Sequence, residues 1–463
     1  QLAYAGDLTY LATNIGALLA VAVVAVVFIP AFYRHNVTTI YELLEIRFGP
    51  GAKQAASLAF MVGRVFASGA RVFIAAIPLA MILFGVEASR EPGYLIAAIA
   101  VLTVAGVLYT LVGGIASVIW TDVLQTLVLL GSVVACLVLL WSRIPAPASE
   151  IIHALQSGGP NGASKLGIFN LGLDPSAPRW GFDPTAAFTV LTAVGGWSLL
   201  NLAALGTDHD LAQRMLTCKS AVKGSRSAVA AIVLSIPVVG LFMAVGLLLW
   251  VFYQRPDLMG ASAPAYPPTD SDRIFLPFTL RERPDGLSRM LGAGIFAVAL
   301  GSLNSAVNAM AATSVRDFYV HWRPQRSDGH YLTVGRWAVV FWGVVLGLFA
   351  TGCIWWRSGQ GLVEFALGVM TFAYSGLLAV FLTALLTRRG STRSVIAALL
   401  TGFVVVACFQ PLLWLAAARL LPTLFADPPP GGFTPVNMSS ALPHLSLAAP
   451  WQMLLATGLA LAV

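Results

Sequence analysis

The chain has 463 residues, of which 58% are hydrophobic and only 10% are charged. A soluble domain carries about 25% charged residues, so this composition excludes an ordinary soluble protein. The net charge of +7 does not indicate nucleic-acid binding, because the basic residues lie between apolar runs, as membrane topology requires. The four cysteines are scattered and show neither metal-ligand spacing nor a disulfide framework.

Long apolar runs recur along the chain. Runs of about 20 apolar residues can cross a bilayer as helices, so we expect an all-α polytopic membrane protein with about 11 transmembrane helices. An uncharged turn at 114–117 is predicted to join the third and fourth spans. The predicted spans are 10–33, 57–84, 94–113, 118–141, 186–205, 226–252, 288–316, 333–354, 362–387, 393–417 and 449–463.

The charge of the short connections predicts the orientation. The connections 34–56, 206–226, 316–336 and 388–393 are basic, and short basic loops face the cytoplasm. This orientation places Gln1 outside the membrane. We therefore expect that the chain lacks helices that would precede it.

One predicted membrane helix, within Gly294–Tyr319, carries a polar stripe. Its members recur at helical spacing and share a face. Small and hydroxyl residues suit either a close helix contact or a site where oxygens meet a cation, and both interpretations stay open at this point. The stripe consists of Gly301, Ser302, Asn304, Ser305 and Asn308.

Asp122 lies about one turn inside the fourth predicted span, and Gln125 follows on the same face. An ionisable group inside a membrane is costly and is a functional hypothesis by default. Asp122 is either a cation ligand or proton carrier, or a carboxylate favoured by the helix dipole. Its position alone does not separate these alternatives.

Two arginines, Arg64 and Arg71, share one stripe of the second span with Ser68 between them. A guanidinium can bind a carboxylate through two parallel hydrogen bonds, so either arginine is a candidate substrate ligand. The structural alternatives are extension of Arg64 toward the cytoplasmic surface and pairing of Arg71 with an internal acid. Asn14 and Asn201 are further candidates for a cavity lining, although such residues more often bond to neighbouring helices.

The cytoplasmic stretch Gly206–Lys223 contains Asp208, His209 and Asp210 in succession. Consecutive residues on a helix point in different directions and form a poor shared ligand set. Helix capping by Thr207 or Asp208 is therefore favoured over metal binding.

Four stretches together resemble the solute:sodium symporter family, which includes sodium-coupled glucose, iodide, proline, pantothenate and sialic acid transporters. The stretches are 28–49, 113–130, 206–220 and 301–319, in the family's order. The resemblance covers nearly the whole chain. It implies an inverted-repeat fold like that of the leucine transporter, with a broken helix near the membrane midplane.

The resemblance also implies a division of the single transporter domain, 1–463. The first inverted repeat is expected at 1–141 without its first helix, because the chain begins where the family's second core helix begins. The second repeat is expected at 186–387, and additional C-terminal helices at 388–463.

Sodium ligands follow from the resemblance residue by residue. Gly301 and Ser302 match the hydroxyl pair of the sodium site that most members share, and the first position has lost its hydroxyl. A second sodium site in some members matches Asp122, Asn304 and Ser305, all of which carry oxygen. These two sets of residues are the predicted sodium sites.

The implied substrate residues are fewer. Asn14 and Asn201 match polar pocket positions of the family, and Arg64 or Arg71 matches an arginine that holds the substrate carboxylate in sialic acid transporters.

The predicted function is sodium-coupled symport of a small polar or anionic organic solute across the plasma (inner) membrane by alternating access. The partners are the solute, sodium and the bilayer. An enzyme is not expected, because no nucleophile elbow, HExxH or phosphate loop occurs. The alternative is a solute-sensing membrane domain linked to a histidine kinase.

Overall fold

The computed structural model places helices along most of the chain. The described residues are 1–159, 162–173, 181, 183–260, 274–275, 278, 287–356, 362–410, 414 and 447–463. Residues 411–413 and 415–417, at the end of the tenth predicted span, lie outside them.

Thirteen helices are labelled here in chain order, and three of them contain short changes of helical pitch. They are α1 (Thr9–Arg34), α2 (Glu42–Phe48), α3 (Pro50–Phe84), α4 (Pro92–Arg143), α5 (Ala148–Ser157), α6 (Val190–Thr207), α7 (His209–Leu216), α8 (Ala221–Gln254), α9 (Leu287–Thr313, continuing to Trp322), α10 (Asp328–Trp356), α11 (Leu362–Leu386), α12 (Thr392–Cys408) and α13 (Ala449–Ala462).

Eight helical segments among the described residues are long and apolar enough to cross a membrane. A ninth is α11, whose parts Phe365–Phe372 and Tyr374–Leu386 meet at a bend of 42°. Helices α12 and α13 are apolar but shorter. Together these segments overlap the 11 predicted spans, although two of them, Pro92–Val112 and Asp122–Arg143, lie in the single helix α4. The expected polytopic helical architecture is confirmed.

The turn predicted at 114–117 is wrong, because α4 is helical without interruption from Pro92 to Arg143. The two predicted spans on either side of it, 94–113 and 118–141, and the Gly113–Gly114 pair between them belong to this one helix. Glycine lowers helix propensity by only about 1 kcal/mol, which is less than the backbone hydrogen bonds of an apolar environment contribute.

Glycine and proline set the boundaries of α3. Gly49 adopts φ +95° and ends α2, and Pro50 then opens α3 at its first position. Gly85 adopts φ +99° and ends α3. These positions follow from physical preference, since glycine tolerates positive φ and proline is preorganised for a first helical turn.

Close helix packing brings α3, α4, α9, α10 and α11 around one interior. Among the described elements, α9 packs most extensively against α4. Helices α11 and α12 approach almost to backbone contact, because a Cβ on Gly402 would lie 2.5 Å from the Gly376 nitrogen. Small residues permit this approach where apolar burial cannot drive association.

We expect Gly402→Ala to destabilise the protein by about 1–3 kcal/mol, because the added methyl meets backbone that cannot move aside. Gly458→Ala on α13 is the matched control, since nothing lies within 4 Å of its Cβ position. The unfolding temperature of the detergent-solubilised variants measures both. Equal unfolding temperatures for the two variants would contradict the packing assigned to Gly402.

Candidate functional site

A buried ion cluster joins α3 to the short helix α7. Arg64 Nη1 lies 2.6 Å from Asp208 Oδ2, and its Nη2 forms an ion pair with Asp210 Oδ2. Tyr374 on α11 donates a 2.8 Å hydrogen bond to the same Asp208 oxygen. The side chains of Arg64 and Asp208 are 3% and 0% exposed, so the charges compensate one another away from water.

Asp208 also caps α7. Its Oδ1 accepts a 3.0 Å hydrogen bond from the Asp210 N–H, which agrees with the capping interpretation of this stretch. The ion pairs to Arg64 were not predicted, because the two partners are 144 residues apart. A polar segment at the end of a membrane span carries no local signal that it folds inward.

A second polar contact links α7 to the predicted sodium residues. Arg214 Nη2 lies 3.0 Å from Asp122 Oδ2 on α4 and donates a 2.7 Å hydrogen bond to Ser305 Oγ on α9. Ser305 Oγ in turn donates to Asp210 Oδ1. A continuous polar chain therefore runs from Asp122 through Arg214 and Ser305 to the buried ion cluster.

Gly301 faces the same place. A Cβ there would lie 2.6 Å from Asp122 Oδ1 and 2.5 Å from Gln125 Oε1. The structure thus brings Gly301, Asp122 and Ser305 together and adds Gln125 and Arg214. The sequence did indicate Gln125, because it follows Asp122 one turn later on the same helix face. It did not indicate Arg214, because the basic residues of that connection were used only to predict membrane orientation.

The other predicted sodium residues lie nearby. Asn304 is 1% exposed, and its Oδ1 accepts a 3.2 Å hydrogen bond from Thr110 Oγ1 on α4. Ser302 is half-buried on α9. Asn304 therefore lies in the interface between α4 and α9, beside Asp122 and Ser305.

Arg71 lies about two turns further along the same stripe of α3, in a different environment from Arg64. Its Nη2 lies 3.9 Å from the thioether sulfur of Met370, and no carboxylate among the described residues lies within salt-bridge distance of it. The Ser68 hydroxyl between the two arginines is buried and makes no hydrogen bond to a described residue. The sequence offered pairing with an internal acid as the structural alternative for Arg71. In the structure it is Arg64 that pairs with internal acids, and Arg71 does not.

Asn14 and Asn201 bond to their own helices. Asn14 Nδ2 donates 2.9 Å to the Leu11 carbonyl, and Asn201 Nδ2 donates 2.8 Å to the Trp197 carbonyl. Their helices α1 and α6 pack closely at Gly16, whose Cβ position lies 2.4 Å from the Ala193 carbonyl oxygen. The structure does not join these residues to the Asp122–Ser305 group by any described hydrogen bond.

A cavity of about 520 Å³ lies at the predicted cytoplasmic end of α9. Asn308, the last residue of the polar stripe, lines it together with His209 and Gln213 of α7. Arg316 and Arg336 line its outer part. The polar stripe therefore continues from the Asp122–Ser305 group toward the cytoplasmic side.

His209 is a buried imidazole beside this cavity. It is 1% exposed and packs against the rings of Tyr41 and Phe60 at 6.1 and 6.3 Å. Burial lowers the pKa of His209 from 6.5 to about 4, although the neighbouring Asp208 opposes this change. The imidazole is therefore neutral at pH 7.

Between pH 6.5 and about 4 the unfolded chain binds a proton at His209 that the folded protein does not bind. Stability should therefore fall as pH decreases through this range, by about 3 kcal/mol in total from this group. We expect His209→Phe, which keeps a ring without a titrating nitrogen, to show a smaller loss of unfolding temperature between pH 7.5 and 4.5. An identical pH profile for the variant and the native protein would contradict the buried neutral state.

The two arginines of α3 should differ in their effect on stability. Arg64→Met leaves the Asp208 and Asp210 carboxylates buried without a counter-charge, which costs about 3–5 kcal/mol. Arg71→Met removes a cation with no described carboxylate within salt-bridge distance, so we expect a smaller loss. Thermal unfolding in detergent measures both variants, and a larger loss for Arg71→Met would contradict these pairings.

Comparison with known proteins supports the family. The model of the family described as "Sodium:solute symporter family" matches residues 2–402. The sodium/sialic acid symporter SiaT of Proteus mirabilis (strain HI4320) is 27% identical over 423 residues, covering 87% of this chain and 76% of that protein. The human sodium/iodide cotransporter is 25% identical over 414 residues, covering 86% of this chain and 58% of that protein.

A solved structure of a Na⁺-coupled sialic acid symporter, in a substrate-bound outward-open state, has a similar fold. Its TM-score is 0.68 at 22% sequence identity, over 100% of this chain and 85% of that chain. The expected leucine-transporter-like fold is confirmed, as are sodium as the coupling ion and a transporter rather than an enzyme. The chain belongs to the sodium:solute symporter family.

Proposed function

We propose that the protein couples sodium influx to uptake of a small organic anion across the plasma membrane. One helical bundle would swing against the remaining scaffold around a site near the membrane midplane, within a fold built from the inverted repeats 1–141 and 186–387. Of the helices in 388–463, α12 and α13 pack against α11 of the second repeat, and α12 also packs against α3 of the first.

Arg71 has no described carboxylate within salt-bridge distance, and this observation carries the anionic substrate. A guanidinium inside a membrane span is costly without a directly paired counter-charge, and the described contacts of Arg71 are the Met370 sulfur at 3.9 Å and the Tyr374 side chain. A substrate carboxylate would pair with Arg71 directly through two parallel hydrogen bonds. Arg64 does not compete for this role, because its guanidinium is occupied by Asp208 and Asp210.

Neighbouring groups favour a polar solute at the same level of the membrane. The buried Ser68 hydroxyl is one turn from Arg71 and has no described partner, so it can bond to a substrate. Asn14 and Asn201 would contribute their amide oxygens from α1 and α6, since the described hydrogen bonds use their nitrogens.

The solutes named for two relatives are both anions. One relative is a sodium/sialic acid symporter and the other is a sodium/iodide cotransporter. The cation would be held by the Asp122 and Gln125 oxygens beside Gly301 together with the nearby Ser305 hydroxyl, because hard cations prefer oxygen ligands. Ser302 and Asn304 complete the proposed sodium site.

The test is uptake into proteoliposomes containing the purified protein. We expect radiolabelled sialic acid or a small monocarboxylate to accumulate when sodium is outside, and to equilibrate only slowly when potassium replaces sodium. Equal uptake in sodium and potassium would contradict sodium coupling. Solute binding without any uptake would favour the sensing alternative.

Arg71→Gln should lower the affinity for a carboxylate solute by about 10- to 100-fold, because it removes charge-assisted hydrogen bonds worth about 1.5–3 kcal/mol. Arg71→Lys should give an intermediate loss, since an ammonium lacks the planar fork. Solute-dependent quenching of tryptophan fluorescence measures affinity independently of transport. Unchanged affinity in Arg71→Gln would exclude Arg71 as the carboxylate ligand.

A further inference from the structure

Arg214 lies between two residues of the proposed sodium site, Asp122 and Ser305. A single nitrogen, Nη2, contacts the Asp122 carboxylate at 3.0 Å and the Ser305 hydroxyl at 2.7 Å. Both contacted oxygens belong to residues that the sequence predicts as sodium ligands. The positive charge between Asp122 and Ser305 is therefore the guanidinium of Arg214, a residue of the protein itself.

Sodium and this guanidinium cannot occupy the place together. Both need the Asp122 carboxylate and the Ser305 hydroxyl, and two positive charges beside one carboxylate repel each other. Arginine stays charged at every working pH, so the guanidinium cannot leave the site by losing a proton. It can leave only by moving.

The surroundings of Arg214 allow such a movement. Its side chain is 40% exposed, whereas Arg64 in the neighbouring ion cluster is 3% exposed. Arg214 lies in the last turn of α7, and an exposed residue, Thr217, follows that turn. The Arg214 charge can therefore turn toward water, while the Arg64 charge is fixed between two buried carboxylates.

We infer that Arg214 is a tethered cation, which holds the Asp122–Ser305 position while sodium is absent and is displaced when sodium binds. This role rests on the proposed sodium-coupled function, because it assigns the competitor at that same site. Displacement would also alter α7, since Ser305 donates its hydroxyl hydrogen to Asp210 of that helix. Sodium binding would thereby be linked to the position of a cytoplasmic segment.

Sodium binding to the purified protein tests this role directly. The unfolding temperature is measured against sodium concentration, with choline chloride keeping the ionic strength constant. We expect Arg214→Gln to lower the sodium concentration at half-maximal stabilisation by at least about fivefold, the lower end of usual coupling between linked binding events. Arg214→Lys keeps a tethered cation and should stay close to the native value.

Lys219→Gln is the matched control for net charge. Lys219 is exposed and lies five residues after Arg214, so its loss removes one positive charge from the same connection without touching the site. A fivefold effect in Lys219→Gln would show a general charge effect and overturn the inference. An unchanged or raised sodium midpoint in Arg214→Gln would overturn it as well.

A second measurement covers the case in which Arg214→Gln does not fold. Arg214→Cys is made with Cys218 and Cys408 replaced by serine, which leaves only the buried Cys136 and Cys353. Modification of the new thiol with a cationic aminoethyl reagent should restore the native sodium midpoint, and a neutral methyl reagent should not. Equal effects of the two reagents would overturn the tethered cation.

The uptake experiment separates this inference from the proposed function. Sodium-driven uptake by the native protein together with an unchanged midpoint in Arg214→Gln overturns the inference alone. Absence of both sodium-driven uptake and sodium-dependent stabilisation in the native protein overturns the proposed function and the inference with it.

Discussion

The pairing of Arg64 with Asp208 and Asp210 is the constraint on which the described interior depends. One guanidinium and two carboxylates, each at most 5% exposed at the side chain, must pair with one another because water does not reach them. Their pairing draws the start of α7 between α3, α9 and α11. The position of α7 then fixes two further groups, His209 beside the cavity and Arg214 beside Asp122.

Most of the helical architecture could be predicted because hydrophobic runs of spanning length are a strong local signal. The same signal cannot tell two helices from one long one, so the turn at 114–117 was wrong. The grouping of Gly301 and Ser305 on one face also followed from helical spacing alone. That this face meets Asp122 came from the family resemblance, and the Gly301 contacts agree with it.

The ion pairs of the site could not be predicted in the same way. Asp208 and Asp210 follow a membrane span in a basic connection, a context that favours a solvated cap. Their burial depends on Arg64, which is 144 residues away from Asp208 in the chain. The partners of Arg64 and Arg71 were not predicted correctly for the same reason. The position of an arginine along its helix does not show which acidic residues of another helix will lie beside it.

Oxygens of neighbouring side chains lie close to the place where a hydroxyl-bearing residue at position 301 would stand. Asp122 Oδ1 and Gln125 Oε1 approach to within 2.6 and 2.5 Å of the point where a Cβ would stand, so a serine would fit there only if both side chains withdrew. Glycine at position 301 thus lacks a hydroxyl, but it allows the Asp122 carboxylate and the Gln125 amide oxygen to approach more closely. In the proposed site this exchange would shift the cation toward α4, where Arg214 now contacts Asp122. A site that depends on Asp122 for its charge is also one that a tethered arginine can hold.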